Sequence, residues 1–313
     1  MKVWNGLDDL AEERPAVVAS IGNYDGVHVG HQAILESAVA NAGQRGLVAA
    51  LITFDPHPLT VVAPDRRPEL VQTRRQKLRC LERTGIDEVL IVPFDAALAR
   101  LEAEAFFDDY LLPRYPLAAV HVGQNFRFGK ARRGDVDLLA AIGGRAGFDV
   151  ECVQAVEVDG RTVSSSAVRE ALREGDVALA ERLLGRPFAL TGLVARGEAR
   201  GRELGFPTAN LEPDNMFLPR SGVYLSHVRA LAGRHAAMTN VGLRPTFGGE
   251  RVSVEAHLLD FDQDLYGQRI EVLFLERLRD EQRFDSPQEL ADQLARDRAA
   301  TESYFAQLRL QID

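Results

Sequence analysis

The chain has 313 residues, of which 46% are hydrophobic and 27% charged, and a formal net charge of −9 at pH 7. This composition is typical of a globular protein long enough for two domains, and the negative charge argues against a protein that coats nucleic acid. Cys80 and Cys152 are the only cysteines, which argues against a disulfide framework or a cysteine-rich zinc site and favours a reducing cytoplasm. The charged N-terminus does not resemble a signal peptide, and the longest apolar run (47–54) is too short to cross a bilayer. We therefore expect a cytoplasmic protein with no membrane or nucleic-acid partner.

The first half alternates apolar strands with amphipathic helices. Strands are predicted at Ala16–Ile21, Val48–Phe54, Glu88–Val92, Ala118–Val122 and Asp149–Val153, and helices at His31–Gln44, Thr73–Thr84, Ala103–Leu112 and Val136–Ala146. Such alternation indicates an α/β domain with a parallel sheet covered by helices on both faces. Ligands of such sheets bind at the carboxyl ends of the strands.

The pattern changes after two further predicted helices, Ala167–Glu174 and Val177–Leu184. Short strands separated by Gly and Pro are then predicted at Phe188–Val194, Gly222–Ala230, Ala236–Val241, Val252–Leu259 and Arg269–Leu278, followed by a closing helix, Ser286–Leu308. This spacing predicts a small antiparallel β-barrel. We place the boundary near residue 186, between a domain of residues 1–185 and a domain of residues 186–313.

A glycine-rich turn, residues 22–31, follows the first long strand and opens a helix. His28 and His31 are three residues apart and share one face of that helix, whose N-terminus offers unpaired N–H groups. This combination favours a phosphate site. Zinc ligation and a purely structural role remain alternatives, although no third zinc ligand is evident in the sequence.

A second polar cluster begins at Arg161 and ends at Arg169. Between them stand three consecutive serine hydroxyls, Ser164, Ser165 and Ser166, of which one could simply cap a helix. Three hydroxyls flanked by two arginines exceed what a cap needs, and they indicate a second anion site suited to a polyphosphate.

Other segments that follow predicted strands carry amide and aromatic groups. Asn125 offers amide donors and Phe128 an aromatic face, while Phe54 precedes the rigid Pro56 and Pro58. Ordinary core packing of the two phenylalanines remains an alternative.

The second half contains a candidate metal site and a candidate base. Thr208 and Asn210 alternate onto one face of an extended segment and offer the oxygen ligands that Mg²⁺ prefers. Glu255 lies within an apolar strand, where a carboxylate is costly unless it has a partner or a task. We therefore interpret it as a general-base candidate, with a surface-facing glutamate as the alternative.

These motifs together resemble those of the prokaryotic bifunctional riboflavin kinase/FAD synthetase family over essentially the whole chain. The first half is similar to its adenylyltransferase module through His-x-Gly-His (28–31) and the Arg-x-x-Ser-Ser segment from Arg161. The second half is similar to its riboflavin kinase module through Gly-Phe-Pro-Thr-Ala-Asn (205–210), Asn-Val-Gly-x-Arg-Pro-Thr (240–246) and Glu-Ala-His-Leu-Leu-Asp-Phe (255–261). The resemblance implies a Rossmann-like nucleotidyltransferase domain, then a small β-barrel kinase domain with a C-terminal helix.

The resemblance also implies the reactions and the residues that perform them. Riboflavin would be phosphorylated to FMN, and FMN adenylylated to FAD with release of pyrophosphate, each with ATP as co-substrate. The implied ATP contacts in adenylyl transfer are Gly22, Asn23, His28, His31, Asn125, Arg161, Ser164, Ser165, Ser166 and Arg169, with the two histidines catalytic. The implied flavin contacts are Phe54, Pro56, Pro58 and Phe128, the Mg²⁺ ligands are Thr208 and Asn210, and the kinase base is Glu255.

Small departures from the family pattern concern local geometry. Ser166, Tyr24, Gln76 and Asp280 stand where threonine, phenylalanine, glutamate and proline are usual in the family. Two alternatives remain beside the bifunctional enzyme: a kinase whose first half is degenerate, and a flavin-binding regulator without turnover. The intact His-x-Gly-His motif disfavours the first, and retention of Thr208, Asn210 and Glu255 disfavours the second.

Overall fold

The computed structural model of the chain describes residues 1–196, 205–231, 233–246 and 249–310. It forms two compact units, Met1–Ser165 and Ser166–Asp313, which we describe separately. Within the described ranges, no helix has both the length and the apolar character needed to span a membrane.

The first unit contains a six-stranded sheet, a short hairpin and the helices that cover the sheet. Its strands are β1 (Lys2–Asn5), β2 (Val17–Ile21), β3 (Val48–Asp55), β4 (Glu88–Pro93), β5 (Leu117–Gly123) and β6 (Asp149–Val153), followed by the hairpin of β7 (Glu157–Val158) and β8 (Arg161–Thr162). Its helices are α1 (Val29–Arg45), α2 (Pro58–Val62), α3 (Arg74–Leu81), α4 (Ala103–Ala105, continued by a π-helical stretch, Phe106–Leu111) and α5 (Val136–Ala146).

The strand order places β2 where a ligand site is expected. The order is β1-β4-β3-β2-β5-β6, and all neighbouring strands are parallel. The chain leaves β2 toward β3 on one side, whereas β5 lies on the other side, so that the topology switches direction at β2. The carboxyl end of β2 is therefore the crevice where open α/β sheets bind ligands.

Both faces of the sheet are buried, as the alternation of β2 illustrates. Val17, Ala19 and Ile21 pack in a core with residues of α4 and α5, whereas Val18 packs in a second core with α1 and α3. All five residues of β2 are buried. The predicted parallel sheet between two helical layers is confirmed.

The second unit begins with two helices and continues as a barrel. The helices are α6 (Ser165–Glu174) and α7 (Val177–Leu184), and α8 (Pro287–Leu310) follows the barrel strands. The strands are β9 (Phe188–Ala195), β10 (Ala209–Pro213), β11 (Gly222–Ala230), β12 (Gly233–Thr246), β13 (Gly249–Leu258) and β14 (Arg269–Arg279). They close in the order β10-β13-β12-β11-β14-β9, with every pair antiparallel, which confirms the predicted barrel.

The helices α6 and α7 belong to the compact unit that contains the barrel. The backbone N–H of Arg220 donates to the carbonyl oxygen of Leu172 in α6 at 2.9 Å, and α7 packs against β14 and β9. The boundary that the motifs suggest near residue 186 lies after both helices, whereas the division between the compact units lies before them.

The structure adds elements that the sequence pattern did not predict. β1 is a four-residue strand that pairs with β4 at the edge of the sheet. β10 pairs with β9 and β13 and completes the barrel. The predicted helix Ala103–Leu112 is α-helical only for its first turn and continues as a π-helix.

A buried polar cluster surrounds Glu88 at the start of β4. The indole N–H of Trp4 donates to Glu88 Oε2 at 2.9 Å, the hydroxyl of Tyr115 donates to Oε1 at 2.6 Å, and the guanidinium of Arg14 pairs with Oε1. Burial alone would raise the pKa of Glu88, but the hydrogen bonds from Trp4 and Tyr115 and the charge of Arg14 outweigh it and lower the pKa. The cluster joins β1, β4 and two loops around one carboxylate.

Replacing Glu88 with glutamine is expected to destabilise the first unit. The Glu88→Gln variant leaves the Arg14 guanidinium buried without its counter-charge, and breaking a buried pair costs about 3–5 kcal/mol of unfolding free energy. Trp4 is the only tryptophan and lies in the cluster, so its fluorescence during urea denaturation measures this unfolding directly.

The exposed pair of Arg45 and Asp149 provides the matched control. Asp149→Asn removes an ion pair in which the Asp149 side chain is 73% exposed, and it should change the unfolding free energy by less than about 1 kcal/mol. Because the folded-state pKa of Glu88 is lowered, its stabilisation is present at neutral pH and lost as the pH falls through that pKa. Equal stability of the two variants would contradict the assigned role.

Candidate active sites

The turn between β2 and α1 contains the predicted phosphate motif. Its backbone enters the left-handed region at Tyr24 (φ 52°), Gly26 (φ 86°) and Val27 (φ 40°). Left-handed φ is costly for a β-branched residue such as Val27, and such strain persists only where surrounding contacts hold it. At Gly22, a Cβ would lie 3.0 Å from the Tyr24 ring, so a larger residue there would require that ring to shift.

The two histidines of the turn are stacked on each other. Their ring centroids are 3.5 Å apart with the planes tilted by 14°, and the Tyr24 ring lies 4.5 Å from that of His31. His28 caps α1, because its Nδ1 accepts a hydrogen bond from the backbone N–H of His31 at 3.2 Å. With Nδ1 acting as acceptor, a neutral His28 carries its proton on Nε2, which is then a donor for an anionic ligand.

Hydroxyl groups beneath the turn fix the position of Tyr24. Its phenol hydrogen-bonds to Ser20 Oγ, and Ser20 donates to the carbonyl oxygen of His121 in β5 at 2.7 Å. Burial raises the pKa of Tyr24 well above its ordinary value, so that its hydroxyl stays neutral. The stack of Tyr24, His31 and His28 therefore rests on the switch-point strands.

The segment that precedes α6 reaches the same turn. The hydroxyl of Ser165 donates to the carbonyl oxygen of Asp25 at 2.9 Å. A Cβ on Gly30 would lie 3.7 Å from the carbonyl oxygen of Val163. Val163 and Ser165 of the second predicted anion motif thus lie against the turn that carries the first, within the first unit.

The remaining predicted ATP contacts are exposed or half-buried. Asn125 follows the carboxyl end of β5, and Arg161 lies in β8; both side chains are exposed. Ser164 is half-buried. Ser166 is exposed and Arg169 half-buried in α6, which belongs to the second unit apart from its first residue.

A cleft lies beside the turn, at the carboxyl ends of β3 and β4. Its wall includes Phe54 and charged side chains from three segments; the lining residues are Asn23, Asp25, Thr53, Phe54, Asp55, His57, Leu70, Gln72, Arg74, Lys77, Leu78 and Ile91. Lys77 is a contributor that the sequence motifs missed, and the signal that could have found it is the rarity of lysine, since the chain has only three.

The predicted flavin contacts have different surroundings. Phe54 lines the cleft and packs edge-on against Phe94. Phe128 is 8% exposed and lies in the core, stacked on the half-buried Phe126. Pro56 follows a cis peptide bond, and Pro58 begins α2.

In the second unit, the barrel register lines up the predicted kinase residues. Glu255 in β13 lies opposite Asn210 of β10 on one side and Asn240 of β12 on the other. The Thr208 hydroxyl donates to Glu255 Oε2 at 3.4 Å. His257 Nδ1 donates to the carbonyl oxygen of Pro207 at 2.8 Å and so anchors the segment that carries Thr208.

The donor set around Thr208 fits Mg²⁺ better than zinc. A hydroxyl, an amide oxygen and a nearby carboxylate are hard oxygen ligands, and Mg²⁺ takes few protein ligands when phosphates and water complete its shell. In the part of the chain that the structure describes, no three His, Cys, Asp or Glu side chains are grouped to hold a metal ion. The zinc alternative for His28 and His31 therefore has no ligand set there.

Two departures from the family pattern have ordinary local partners. Gln76 completes a capping box at the start of α3, because its side chain accepts from the backbone N–H of Thr73 at 2.9 Å. Asp280 accepts a hydrogen bond from Arg277 at 2.7 Å. Both side chains therefore fit the elements in which they stand.

Comparison with known proteins assigns the two parts of the chain to two family models. A family model described as FAD synthetase matches residues 10–167, and a model described as riboflavin kinase matches residues 184–305. The chain is 41% identical over 307 residues to the bifunctional riboflavin kinase/FMN adenylyltransferase of Escherichia coli K12, covering 97% of this chain and 98% of that protein. It belongs to the bifunctional riboflavin kinase/FMN adenylyltransferase family.

Two further relatives support the same relation. The bifunctional riboflavin kinase/FMN adenylyltransferase of Bacillus subtilis 168 is 34% identical, with 96% of each chain covered. A crystal structure named as a macrolide-efflux protein from Streptococcus pneumoniae superimposes with a TM-score of 0.88 at 31% identity, covering 96% of this chain and 99% of that one.

Because His28 caps α1, its replacement is expected to change the stability of the first unit. His28→Ala removes the acceptor for the His31 N–H and should lower the unfolding free energy of the first unit by about 1 kcal/mol. His28→Asn supplies a capping oxygen and should stay close to the parent in urea denaturation.

Gln124, an exposed residue in the loop after β5 that caps no helix, provides the control for this stability measurement. Gln124→Ala removes only a surface contact with Gln154 and should leave stability within about 0.5 kcal/mol of the parent. If His28→Asn were as destabilised as His28→Ala, the ring would be needed for packing rather than for capping.

Proposed function

We propose that the two reactions of this family take place at separate sites, the adenylyl transfer at the His28–His31 turn and the riboflavin phosphorylation at Glu255 in the barrel. The chain converts riboflavin and ATP to FMN, and FMN and a second ATP to FAD. We retain the boundary between residues 185 and 186 as the functional division, and we assign the enzyme to the cytoplasm, where ATP is available. The observation that carries the proposal is the contact of Thr208 with Glu255 in one unit and the capped histidine stack in the other.

In the kinase reaction, the nucleophile is a neutral hydroxyl and needs a base. Glu255 would take the proton of the riboflavin 5′-hydroxyl as the hydroxyl oxygen attacks the γ-phosphorus of ATP, and the bond from that phosphorus to the bridging oxygen breaks to release ADP. The Thr208 hydroxyl, at 3.4 Å from Glu255 Oε2, orients that carboxylate. His257 holds the Thr208 segment in place through Pro207.

Thr208 and Asn210 are the side chains that would hold Mg²⁺. When bound, this ion orients the phosphates of ATP and neutralises part of their charge. The barrel supports this assignment because Asn210 stands directly opposite Glu255 in the β10–β13 register.

In the adenylyl transfer, the nucleophile is the FMN phosphate and is already anionic. No base is required, so the work of the site is to orient two anions and to stabilise charge at the α-phosphorus. His28 Nε2, His31 and the N–H groups at the start of α1 suit this task. The roles of Asn125, Arg161, Ser164, Ser166 and Arg169 in binding ATP remain predictions that rest on the family resemblance.

For the flavin of this reaction, Phe54 is the better-placed aromatic group because it lines the cleft beside the turn. Phe128 is packed in the core against the half-buried Phe126, and its contact with the flavin remains a prediction that rests on the family resemblance. Pro56 and Pro58 remain predicted contacts on the segment that follows Phe54.

Two substitutions should separate the two reactions. Glu255→Gln is expected to lower FMN formation on the order of 10²–10⁴-fold, the usual contribution of a general base, and to leave FAD formation from supplied FMN intact. His28→Asn should lower FAD formation on the order of 10²–10³-fold and leave FMN formation intact. Incubation with riboflavin or FMN, ATP and Mg²⁺, followed by chromatographic separation of flavins, measures both.

Each variant is the other's control, because each retains the reaction that the other loses. Parallel loss of both activities in a protein with parental urea denaturation would refute separate sites. A parent that forms FMN but no FAD would identify a single-function kinase, and unchanged riboflavin would favour a regulator.

A metal titration tests Thr208. Thr208→Val keeps the shape of the side chain but removes its oxygen, so the Mg²⁺ concentration for half-maximal FMN formation should rise on the order of 10-fold or more. The Mg²⁺ dependence of FAD formation by the same protein should not change. A parental Mg²⁺ dependence of FMN formation would exclude Thr208 as a ligand.

A further inference from the structure

The cleft beside the His28–His31 turn contains an ammonium group held only by neutral oxygens. Lys77 Nζ, from α3, donates to the carbonyl oxygen of Asn23 at 2.5 Å and to Thr53 Oγ1 at 2.7 Å. Among the described residues, no carboxylate lies within ion-pair distance of this ammonium. Because an ammonium has three donors, one N–H remains after these two bonds.

The carboxylates nearest to Lys77 have other partners. Asp25 accepts from the backbone N–H of Val71 through both oxygens, at 3.0 and 3.2 Å. Asp55 pairs with Arg74 at 3.4 Å. The side chain of Lys77 is half-buried, and withdrawing a cation from water without a counter-ion is unfavourable unless a ligand supplies the opposite charge.

The choice of lysine at this position is itself unusual for the chain. Only three of its 37 basic residues (Lys and Arg) are lysines, at positions 2, 77 and 130. Arginine has a larger, planar and permanently charged group, whereas lysine is a compact point charge that fits between two oxygens and one phosphate. Lys2 and Lys130 are exposed, so Lys77 is the lysine whose setting differs.

We propose that the Lys77 ammonium binds a phosphate group of the reactants of adenylyl transfer and thereby supplies a positive charge required for FAD formation. The inference rests on the adenylyl-transfer function proposed above. Its basis is the free donor of Lys77 in a cleft that is also lined by Phe54, together with its bond to Asn23 in the turn that carries His28. The ligand chemistry is a phosphate monoester or polyphosphate, and kinetics distinguish the FMN phosphate from those of ATP.

The charge state of Lys77 depends on the groups around it. Burial lowers the pKa of Lys77 to about 8, while the carboxylates of Asp25 and Asp55 raise it and the guanidinium of Arg74 lowers it. His57, the cap of α2, also lines the cleft. The ammonium is therefore mostly charged at pH 7 and loses its proton as the pH rises through about 8, so kcat/KM for FAD formation should fall there.

The test compares two variants of the full chain, Lys77→Met and Lys77→Arg. Lys77→Met keeps the length and loses the charge, and we expect kcat/KM for FAD formation to drop on the order of 10²-fold. Lys77→Arg keeps the charge and should retain at least about ten times the activity of Lys77→Met, with no fall in rate between pH 7.5 and 9.5, because arginine stays protonated there. Lys2→Met, the same substitution at an exposed lysine, should behave like the parent.

The kinetic constants of Lys77→Met identify the phosphate that Lys77 contacts. A raised KM for FMN assigns the contact to the FMN phosphate, a raised KM for ATP assigns it to the ATP phosphates, and a loss in kcat alone assigns it to the transferring group. Riboflavin phosphorylation by the same variant should match the parent.

Three results would overturn the inference. These are a Lys77→Met variant within about threefold of the parent, equal impairment of the two Lys77 variants, and an alkaline fall in rate that persists in Lys77→Arg. The second result would mean that Lys77 only ties the turn to β3. Failure of the parent to form FAD from FMN and ATP would instead refute the adenylyl-transfer function itself.

Discussion

The first unit depends on how the strained turn after β2 is held. Three segments bind its main chain: Ser165 donates to the carbonyl of Asp25, and Lys77 and Thr53 donate to the carbonyl of Asn23. A fourth segment binds a side chain of the turn, because the Asp25 carboxylate accepts from the N–H of Val71. These bonds offset the left-handed conformations within the turn. Because α1 starts where the turn ends, the same bonds set the direction of the helix N-terminus and of the stacked histidines.

In the barrel, the candidate site residues are positioned by the register of the strands rather than by a turn. Antiparallel pairing places Asn210, Glu255 and Asn240 side by side on three adjacent strands. A shift of one residue in either pairing would turn Glu255 to the opposite face from its neighbours. His257, two residues beyond Glu255 and on the same face, fixes the segment before β10 through Pro207. The segment that carries Thr208 is thus anchored by the strand that carries Glu255.

The main sheet, the barrel and the paired histidines could be predicted from sequence because each has a local signal, either apolar runs or glycine-bracketed polar groups. β1 could not, since its four residues are exposed or half-buried and it exists only by pairing with β4. The change from α-helix to π-helix at Phe106 likewise has no local signal, and it occurs where Phe106 and Phe107 pack in the core. The sequence motifs did not single out Lys77, because its hydrogen-bond partners Asn23 and Thr53 are distant in the chain and meet it only in the fold.

The nucleophiles of the two proposed reactions differ in charge, and the two proposed sites present different groups to them. A neutral riboflavin hydroxyl must lose a proton, and the barrel presents a carboxylate with a hydroxyl at 3.4 Å. An FMN phosphate must approach another phosphate, and the first unit presents imidazoles, a helix N-terminus and an ammonium with a donor to spare. A carboxylate beside the histidine turn would repel both reactants, which explains why Asp25 and Asp55 are each engaged by a donor of the protein. The groups present therefore agree with the proposal that the barrel supplies a base and that the first unit needs none.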